Sequence, residues 1–350
     1  MNSANSVTVD LLDELFTLAD FEPVARERMS AMAWEYIASG AADETTLRWN
    51  RDALDSIRLD PRVLVDVTKL DTCVEIFAQT LAFPIVLAPV GLQRLYHAEG
   101  EIAAARGAGH ADATYVISSY STTPLEDIAA AETGPFWFQI YLQPDREFTR
   151  DVVQRAEAAG VRAFCVTVDL SVIGVRNRMD RARFAVPAEM SCPHMMENFT
   201  GSPITWADVD WLRSITRLPI ILKGILNPDD ADLAVENGAS GIIVSNHGAR
   251  DLDTAPATIE ALPRVAERVD DRIPVLMDGG IRRGTDVLKT LALGAKAVLI
   301  GRPYCYGLAA GGAEGVAKVV NILRKEFEIA MALTGRTSVA SIDRSVIWTD

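Results

Sequence analysis

The stretch 219-PIILKGILNPDDADLAVENGASGIIVSN-246 contains one complete folding unit. Its two ends, 219-PIILKG-224 and 241-GIIVSN-246, are short β-branched runs that stay apolar until polar residues close them. That is the pattern of parallel strands covered on both faces. Between them, 228-PDDADLAVENG-238 opens with Pro and acids and closes with Gly, the start and stop signals of a helix. The same rhythm continues in both directions. Upstream stand 84-PIVLAPV-90, 114-TYVISS-119, 136-FWFQIY-141 and 163-AFCVTVD-169, and downstream 274-PVLMDG-279 and 297-AVLIGR-302. The helical patterns 98-AEGEIAAARGAGHAD-112 and 145-DREFTRDVVQRAEAAG-160 lie between them. Eight strand-then-helix units predict an α/β fold closed into a (β/α)8 (TIM) barrel, because an open sheet of eight parallel strands leaves two edges to protect.

The remaining sequence reads as additions to one domain spanning 1–350. Residues 1–82 form an N-terminal extension before a barrel over 83–335. Within the extension, 7–37 predicts two helices, and 57-IRLDPRVLVDV-67 with 73-CVEIFAQTLA-82 predicts an antiparallel pair plugging the barrel bottom. After the fourth strand, residues 170–205 carry several Pro, Gly and Met with weak periodicity, which predicts a lid-like insertion.

The chain has 350 residues, 49% of them hydrophobic and 23% charged, with a formal charge of −14. Such a composition is globular, and its charge repels nucleic-acid backbones and anionic membranes. An anionic ligand would therefore need a local cluster of Arg and Lys. The four cysteines, Cys73, Cys165, Cys192 and Cys305, have no CxxC spacing, which fits reduced thiols. The first twenty residues lack a signal-peptide pattern and no apolar window is long enough to span a membrane, so a cytoplasmic location is expected.

Active sites of such barrels lie at the C-terminal strand ends. In 243-IVSNHGARDLD-253 a strand closes with Ser, Asn and His, followed by a Gly-containing turn and Arg250. An imidazole can take a proton near neutral pH, and a guanidinium three residues on can clamp a carboxylate, which suggests a 2-hydroxy or 2-keto acid. The plainer alternative is a histidine that only caps the strand. No second His or Cys has ligand spacing to it, so no metal is expected.

Glycines and arginines in 278-DGGIRRG-284 and 301-GRP-303 follow the seventh and eighth strands, where these barrels bind phosphate; FMN or a phosphosugar would fit. Two glycine turns with surface arginines remain the alternative. Lys223 ends its apolar strand and needs a negative partner. A Schiff-base role is the rival, but such chemistry does not call for the His-Gly-x-Arg unit one strand later.

Together the blocks 36-YIASGAADE-44, 87-LAPVGLQ-93, 97-HAEGE-101, 138-FQIY-141, 166-VTVD-169, 221-ILKG-224, 245-SNHGAR-250, 278-DGGIRRGTD-286 and 301-GRP-303 resemble the FMN-dependent 2-hydroxy-acid oxidases and dehydrogenases, nearly end to end. The resemblance implies that His247 abstracts a proton, Asp169 orients it, Arg250 and Arg176 hold the substrate carboxylate, and Tyr36 and Tyr141 bond the substrate. For FMN it implies backbone contacts at Pro89, Val90 and Gly91, and hydrogen bonds from Ser118, Gln139 and Thr167. It puts Lys223 at the N1 side with Ser245 nearby, and the phosphate against Asp278, Gly279, Gly280, Arg282, Gly301 and Arg302. A homotetramer is implied too.

Tyr120 stands where glycolate-specific members have Trp, and Gly91 where they have Ala. Both changes predict room for a bulky, mandelate-like (S)-2-hydroxy acid, with lactate or glycolate as alternatives. Oxygen is the expected acceptor, a quinone the alternative, and an isopentenyl-diphosphate isomerase-like FMN barrel or a non-catalytic flavin-binding barrel the rival reading. Asp251 replaces the Gln of many relatives, with no effect assigned. Methionines in 190-MSCPHMMENF-199 either line an entrance or pack.

Overall fold

The computed structural model describes residues 11–131, 134–197, 200–201 and 203–349. Eight parallel strands form a closed barrel: Ile85–Leu87, Thr114–Ser118, Phe136–Ile140, Phe164–Thr167, Ile220–Ile225, Gly241–Val244, Val275–Met277 and Ala297–Ile300. Seven fall inside the eight apolar runs, and the fifth extends one residue beyond its run, to Ile225. Consecutive strands pair in chain order, and the eighth returns to the first with Val298 opposite Ile85 and Ile300 opposite Leu87. No edge is left.

The two-residue period of a strand then determines what fills the barrel. Pointing inward are Val116, Trp137, Cys165, Ile221, Ile243 and Leu276, which form one apolar layer with Val86, Ala297 and Leu299. Two residues further along the same strands stand Ser118, Gln139, Thr167, Lys223, Ser245 and Asp278. A step of two residues advances about 7 Å along a strand, so the polar layer lies directly above the apolar one. Residues of opposite parity, such as Ile85, Leu87, Tyr115, Ile117 and Phe138, pack outward against the helices.

An antiparallel hairpin plugs the bottom, but its partners differ from the expected pair. It forms within 73–82 alone, Val74–Ile76 against Gln79–Leu81, through a turn in which Phe77 and Ala78 are left-handed at φ 54° and 56°. Two consecutive left-handed residues make the tight hairpin turn usually encoded by Asn-Gly, so the sequence carried no sign of it. Ile76 and Leu81 join the apolar layer, and Phe77 meets Trp137 edge-on at 5.5 Å. The stretch 57–67 instead runs beside the C-terminus: Asp60 N–H donates to Val346 O at 2.9 Å and Trp348 N–H to Arg58 O at 2.9 Å. Pro61 removes one ladder donor, and Val63 and Leu64 are 81% and 103% exposed, so no sheet covers them.

Helices Phe21–Arg28 and Ala31–Ala38 occupy the region 7–37 expected to hold two, the second running one residue past it, and the first residues of that region, 7–10, fall outside the described chain. A further helix, Thr45–Ser56, was not anticipated; it buries Thr46, Asn50 and Leu54, one residue per turn. The insertion after the fourth strand contains a short helix, Asn177–Arg181, and lies over the barrel mouth. Within 190–199, Met195 packs on Tyr141 and Leu170 and does not line an entrance, while residues 198–199 are outside the described chain.

Candidate active site

A cavity of about 450 Å³ opens at the C-terminal strand ends, within the range of cofactor and ligand pockets. Its wall brings together every anticipated site residue except two: Tyr36, Pro89, Val90, Gly91, Ser118, Tyr120, Gln139, Tyr141, Thr167, Arg176, Lys223, His247, Arg250, Asp278, Gly279, Gly280, Arg282, Gly301 and Arg302. Asp169 and Ser245 stand behind the wall, each bonded to a residue that lines it.

His247 follows the sixth strand in an unusual backbone. His247, Gly248 and Ala249 are all left-handed, at φ 56°, 61° and 62°. For the two non-glycine residues this costs roughly 1–2 kcal/mol each, so other contacts must hold the turn. Ser245 Oγ accepts from His247 N–H at 3.0 Å, and Asn246 Oδ1 accepts from Ala249 N–H at 3.0 Å. Asn246 and Asn50 exchange reciprocal amide bonds of 2.9 and 3.1 Å, which ties the turn to helix Thr45–Ser56. The result is an imidazole held in one orientation.

Its Nδ1 lies 2.9 Å from Asp169 Oδ1. Burial pushes the Asp169 carboxyl up, but His247 and Lys223 outweigh it and hold it below the usual carboxylate range. Asp169 is therefore an acceptor and Nδ1 carries the proton, so in the neutral ring it is Nε2 that holds the lone pair. A second carboxylate oxygen, Asp251 Oδ2, lies 3.1 Å from the same Nδ1.

Two arginines face the histidine. Arg250 donates to Tyr36 O at 2.6 Å and Ser39 O at 3.0 Å, and its guanidinium stacks over the Tyr36 ring. Burial, and then the neighbouring Arg176, lower its pKa. Among the described residues it has no carboxylate partner, so an incoming carboxylate would relieve both strains. Arg176 comes from the insertion and donates to Arg250 O at 3.2 Å and Asp251 Oδ1 at 3.1 Å. The Tyr36 ring also stacks on Phe184 of the insertion at 4.7 Å.

Lower in the cavity, Lys223 Nζ donates to Ser245 Oγ at 3.0 Å and pairs with Asp278 at 3.3 Å. Burial opposes its charge, but Asp278 and Asp169 prevail and raise its pKa. Asp278 Oδ1 is buried without a hydrogen bond, a group awaiting a donor. Ser118 donates to Gln139 Oε1 at 3.0 Å, and Gln139 Nε2 to Thr167 Oγ at 2.9 Å, forming a polar row across three strands.

At the far end Gly279 and Gly280 are left-handed, at φ 94° and 83°, and a Cβ on Gly280 would meet Asn50 O at 2.5 Å. Only glycine permits this loop. Asp286 fastens it by accepting from the Arg282 and Arg283 N–H groups at 2.9 and 3.0 Å. Arg282 and Arg302 stand half-buried against backbone carbonyls, with no carboxylate partner among the described residues. Burial, with repulsion from Arg250, brings Arg302 down to about 10. Two desolvated guanidiniums and a glycine loop suit a phosphate. A polar row, a buried cation and an anion cradle in one cavity match the parts of FMN.

Sequence reasoning passed over several residues here. Asn50 was missed with its helix, although Thr46, Asn50 and Leu54 recur every fourth residue. Met179, Phe184 and Val186, which line the cavity from the insertion, lie in a segment without periodicity and gave no signal. His194 is buried in the same insertion, where its Nε2 accepts from Leu125 N–H at 3.0 Å; burial drives its pKa down to about 4.

Comparison with known proteins accords with this geometry. Residues 25–349 match the family model described as FMN-dependent dehydrogenase. A 2-hydroxyacid oxidase of Dictyostelium discoideum is 42% identical, covering 99% of this chain and 94% of the relative. An L-lactate oxidase of Nostoc sp. is 44% identical, covering 94% and 97%. Among solved structures, mandelate oxidase with benzoyl-formic acid superposes with a TM-score of 0.90 at 43% identity, covering 96% of this chain and 98% of the other. The chain belongs to the FMN-dependent dehydrogenase family, and its cofactor is FMN.

Proposed function

We propose that the protein oxidises an (S)-2-hydroxy acid with a bulky or aromatic side chain to the 2-keto acid, with oxygen as electron acceptor and hydrogen peroxide as second product. The observation that carries this is the wall on which His247, backed by Asp169 at 2.9 Å, faces Arg250 and Arg176. Bound FMN supplies the two-electron acceptor for the substrate carbon. Everything else is done by side chains. Arg250 and Arg176 fix the carboxylate, Tyr36 and Tyr141 bond the substrate's oxygens, and His247 Nε2 takes the proton. Asp169 then stabilises the imidazolium that results. Lys223, Ser118, Gln139, Thr167 and the Asp278–Arg282 loop with Arg302 would hold the flavin.

Substrate size is read from the wall beside Gly91. A Cβ there would lie 2.7 Å from Tyr120 Cβ, so glycine is what lets the Tyr120 segment pack close against this wall. Leu170, Ile173, Met179, Phe184 and Val186 supply an apolar side suited to a phenyl group. Solved relatives include mandelate oxidase with (S)-2-phenylpropionate, at 42% identity.

A panel of glycolate, lactate, 2-hydroxyoctanoate and both mandelate enantiomers under air, with keto acid and peroxide measured together, tests the proposal. Preferred turnover of (S)-mandelate with stoichiometric peroxide is expected. Preference for lactate or glycolate would overturn the substrate, and keto acid only with an added quinone would overturn the acceptor. An anaerobic flavin that no 2-hydroxy acid bleaches would overturn the reading as a whole. We assign a homotetramer on family likeness, which light scattering checks.

A further inference from the structure

Asp251 contacts both working elements of the site. Its Oδ1 lies 3.1 Å from Arg176 Nη2 and its Oδ2 3.1 Å from His247 Nδ1, with the side chain 10% exposed. The Nδ1 proton is directed at Asp169, and Asp251 Oδ2 is left without a hydrogen bond. A buried carboxylate oxygen lacking a donor is costly, so the charge of Arg176 and any charge on His247 are what hold it there. The insertion locks this placement, because a Cβ on Gly174 would lie 2.2 Å from Asp251 O.

We propose that Asp251 is a positioning residue with two effects: it occupies Arg176 as an internal stand-in for the substrate carboxylate, and it places a second negative charge beside His247. The inference rests on the reading of His247 as base and Arg176 as clamp. An incoming carboxylate must compete with Asp251 for Arg176, which weakens binding of every acid. Once His247 has taken a proton at Nε2, its imidazolium lies between two carboxylates and is stabilised by both. Other titratable or charged groups around the cavity are Asp169, Lys223 paired with Asp278, Tyr36, Tyr120, Tyr141, Asp180, Arg250, Arg282, Arg302 and Arg176 itself, and the variants below leave all of them in place.

The test compares FMN-loaded wild type with Asp251→Asn at fixed ionic strength. Calorimetry with phenylacetate, a carboxylate that lacks the reacting hydroxyl, reads the clamp without turnover. Its dissociation constant is expected to fall about fivefold, by relief of a competing ion pair. The pH profile of kcat/KM reads the base: activity needs neutral His247, and loss of a nearby negative charge lowers its proton affinity. The acidic limb should therefore move to lower pH by about half a unit or more, and Asp251→Glu should restore it. Phenylacetate bound no more tightly than by wild type overturns the stand-in role, and an unmoved limb overturns the electrostatic one. A merely structural residue would lower kcat and binding together without moving the limb. Asp251→Gln removes the same charge with a longer amide, so the comparison survives if one variant fails to fold. Were wild type to turn over no 2-hydroxy acid, the proposed function would fall, yet phenylacetate binding would still report on Asp251 and Arg176.

Discussion

Two layers of side chains fill the barrel, one pleat apart on the same strands, and they differ in almost every property. The lower one, Val116, Trp137, Cys165, Ile221, Ile243 and Leu276, is apolar, fully buried and sealed by the hairpin below it. The upper one, Ser118, Gln139, Thr167, Lys223, Ser245 and Asp278, is equally buried yet polar throughout, with an unpaired carboxylate oxygen. Burying polar groups is costly, and the upper layer offsets this only partly through its own bonds. What remains unsatisfied is the capacity to bind. The lower layer holds the strands in the register that gives the upper one its geometry.

The largest expected effect comes from above the upper layer. His247→Gln removes the proton acceptor but keeps a polar side chain of similar reach. Turnover of the best substrate should fall by about a thousandfold, the usual scale of general-base catalysis, while FMN absorbance is retained. A loss of less than tenfold with flavin in place would separate the chemistry from this histidine. Within the upper layer, Lys223→Met should release flavin and destabilise the apoprotein by about 3–5 kcal/mol in urea unfolding, because Asp278 is left buried without its cation. Full flavin content in that variant would show that the lysine does not hold the cofactor. In the lower layer, Trp137→Ala should also cost about 3–5 kcal/mol of stability, with kcat essentially unchanged at a temperature where the variant is folded. A change in kcat beyond the change in flavin occupancy would mean that the layers are not separable.

How much of this was legible follows from the same period of two. Strands two to seven each read as an apolar run closed by polar residues, so the fold class and the residues of the upper layer stand in the sequence at fixed positions. What could not be read depends on contacts between distant segments or on turns without their usual residues. The Phe77–Ala78 turn has neither Asn nor Gly, so the hairpin was paired with the wrong partner. Asp251 was visible as a departure, but its effect depends on Arg176, 75 positions away, arriving from an aperiodic insertion. Asn50 has its partner 196 positions away. Such pairs leave no local trace.

The smallest expected effect tests the wall that bounds both layers from the substrate side. Gly91→Ala places a Cβ 2.7 Å from Tyr120 Cβ and 3.0 Å from Tyr120 O, a clash that only movement of the Tyr120 segment can relieve. That segment is not free to move, because buried Glu101 accepts from Thr122 N–H at 2.8 Å and Gln93 N–H at 3.1 Å, tying together the loops that carry Tyr120 and Gly91. Overpacking of this kind costs about 1–3 kcal/mol. If Tyr120 is pushed into the substrate space, the cost falls on bulky acids: KM for (S)-mandelate should rise roughly tenfold, and that for lactate far less. Equal increases for both would locate the strain in the loop and not in the pocket, and Gly91 would then be a requirement of backbone packing alone. Flavin content separates this from simple loss of cofactor, since Gly91 lines the same cavity as the residues that would hold the flavin.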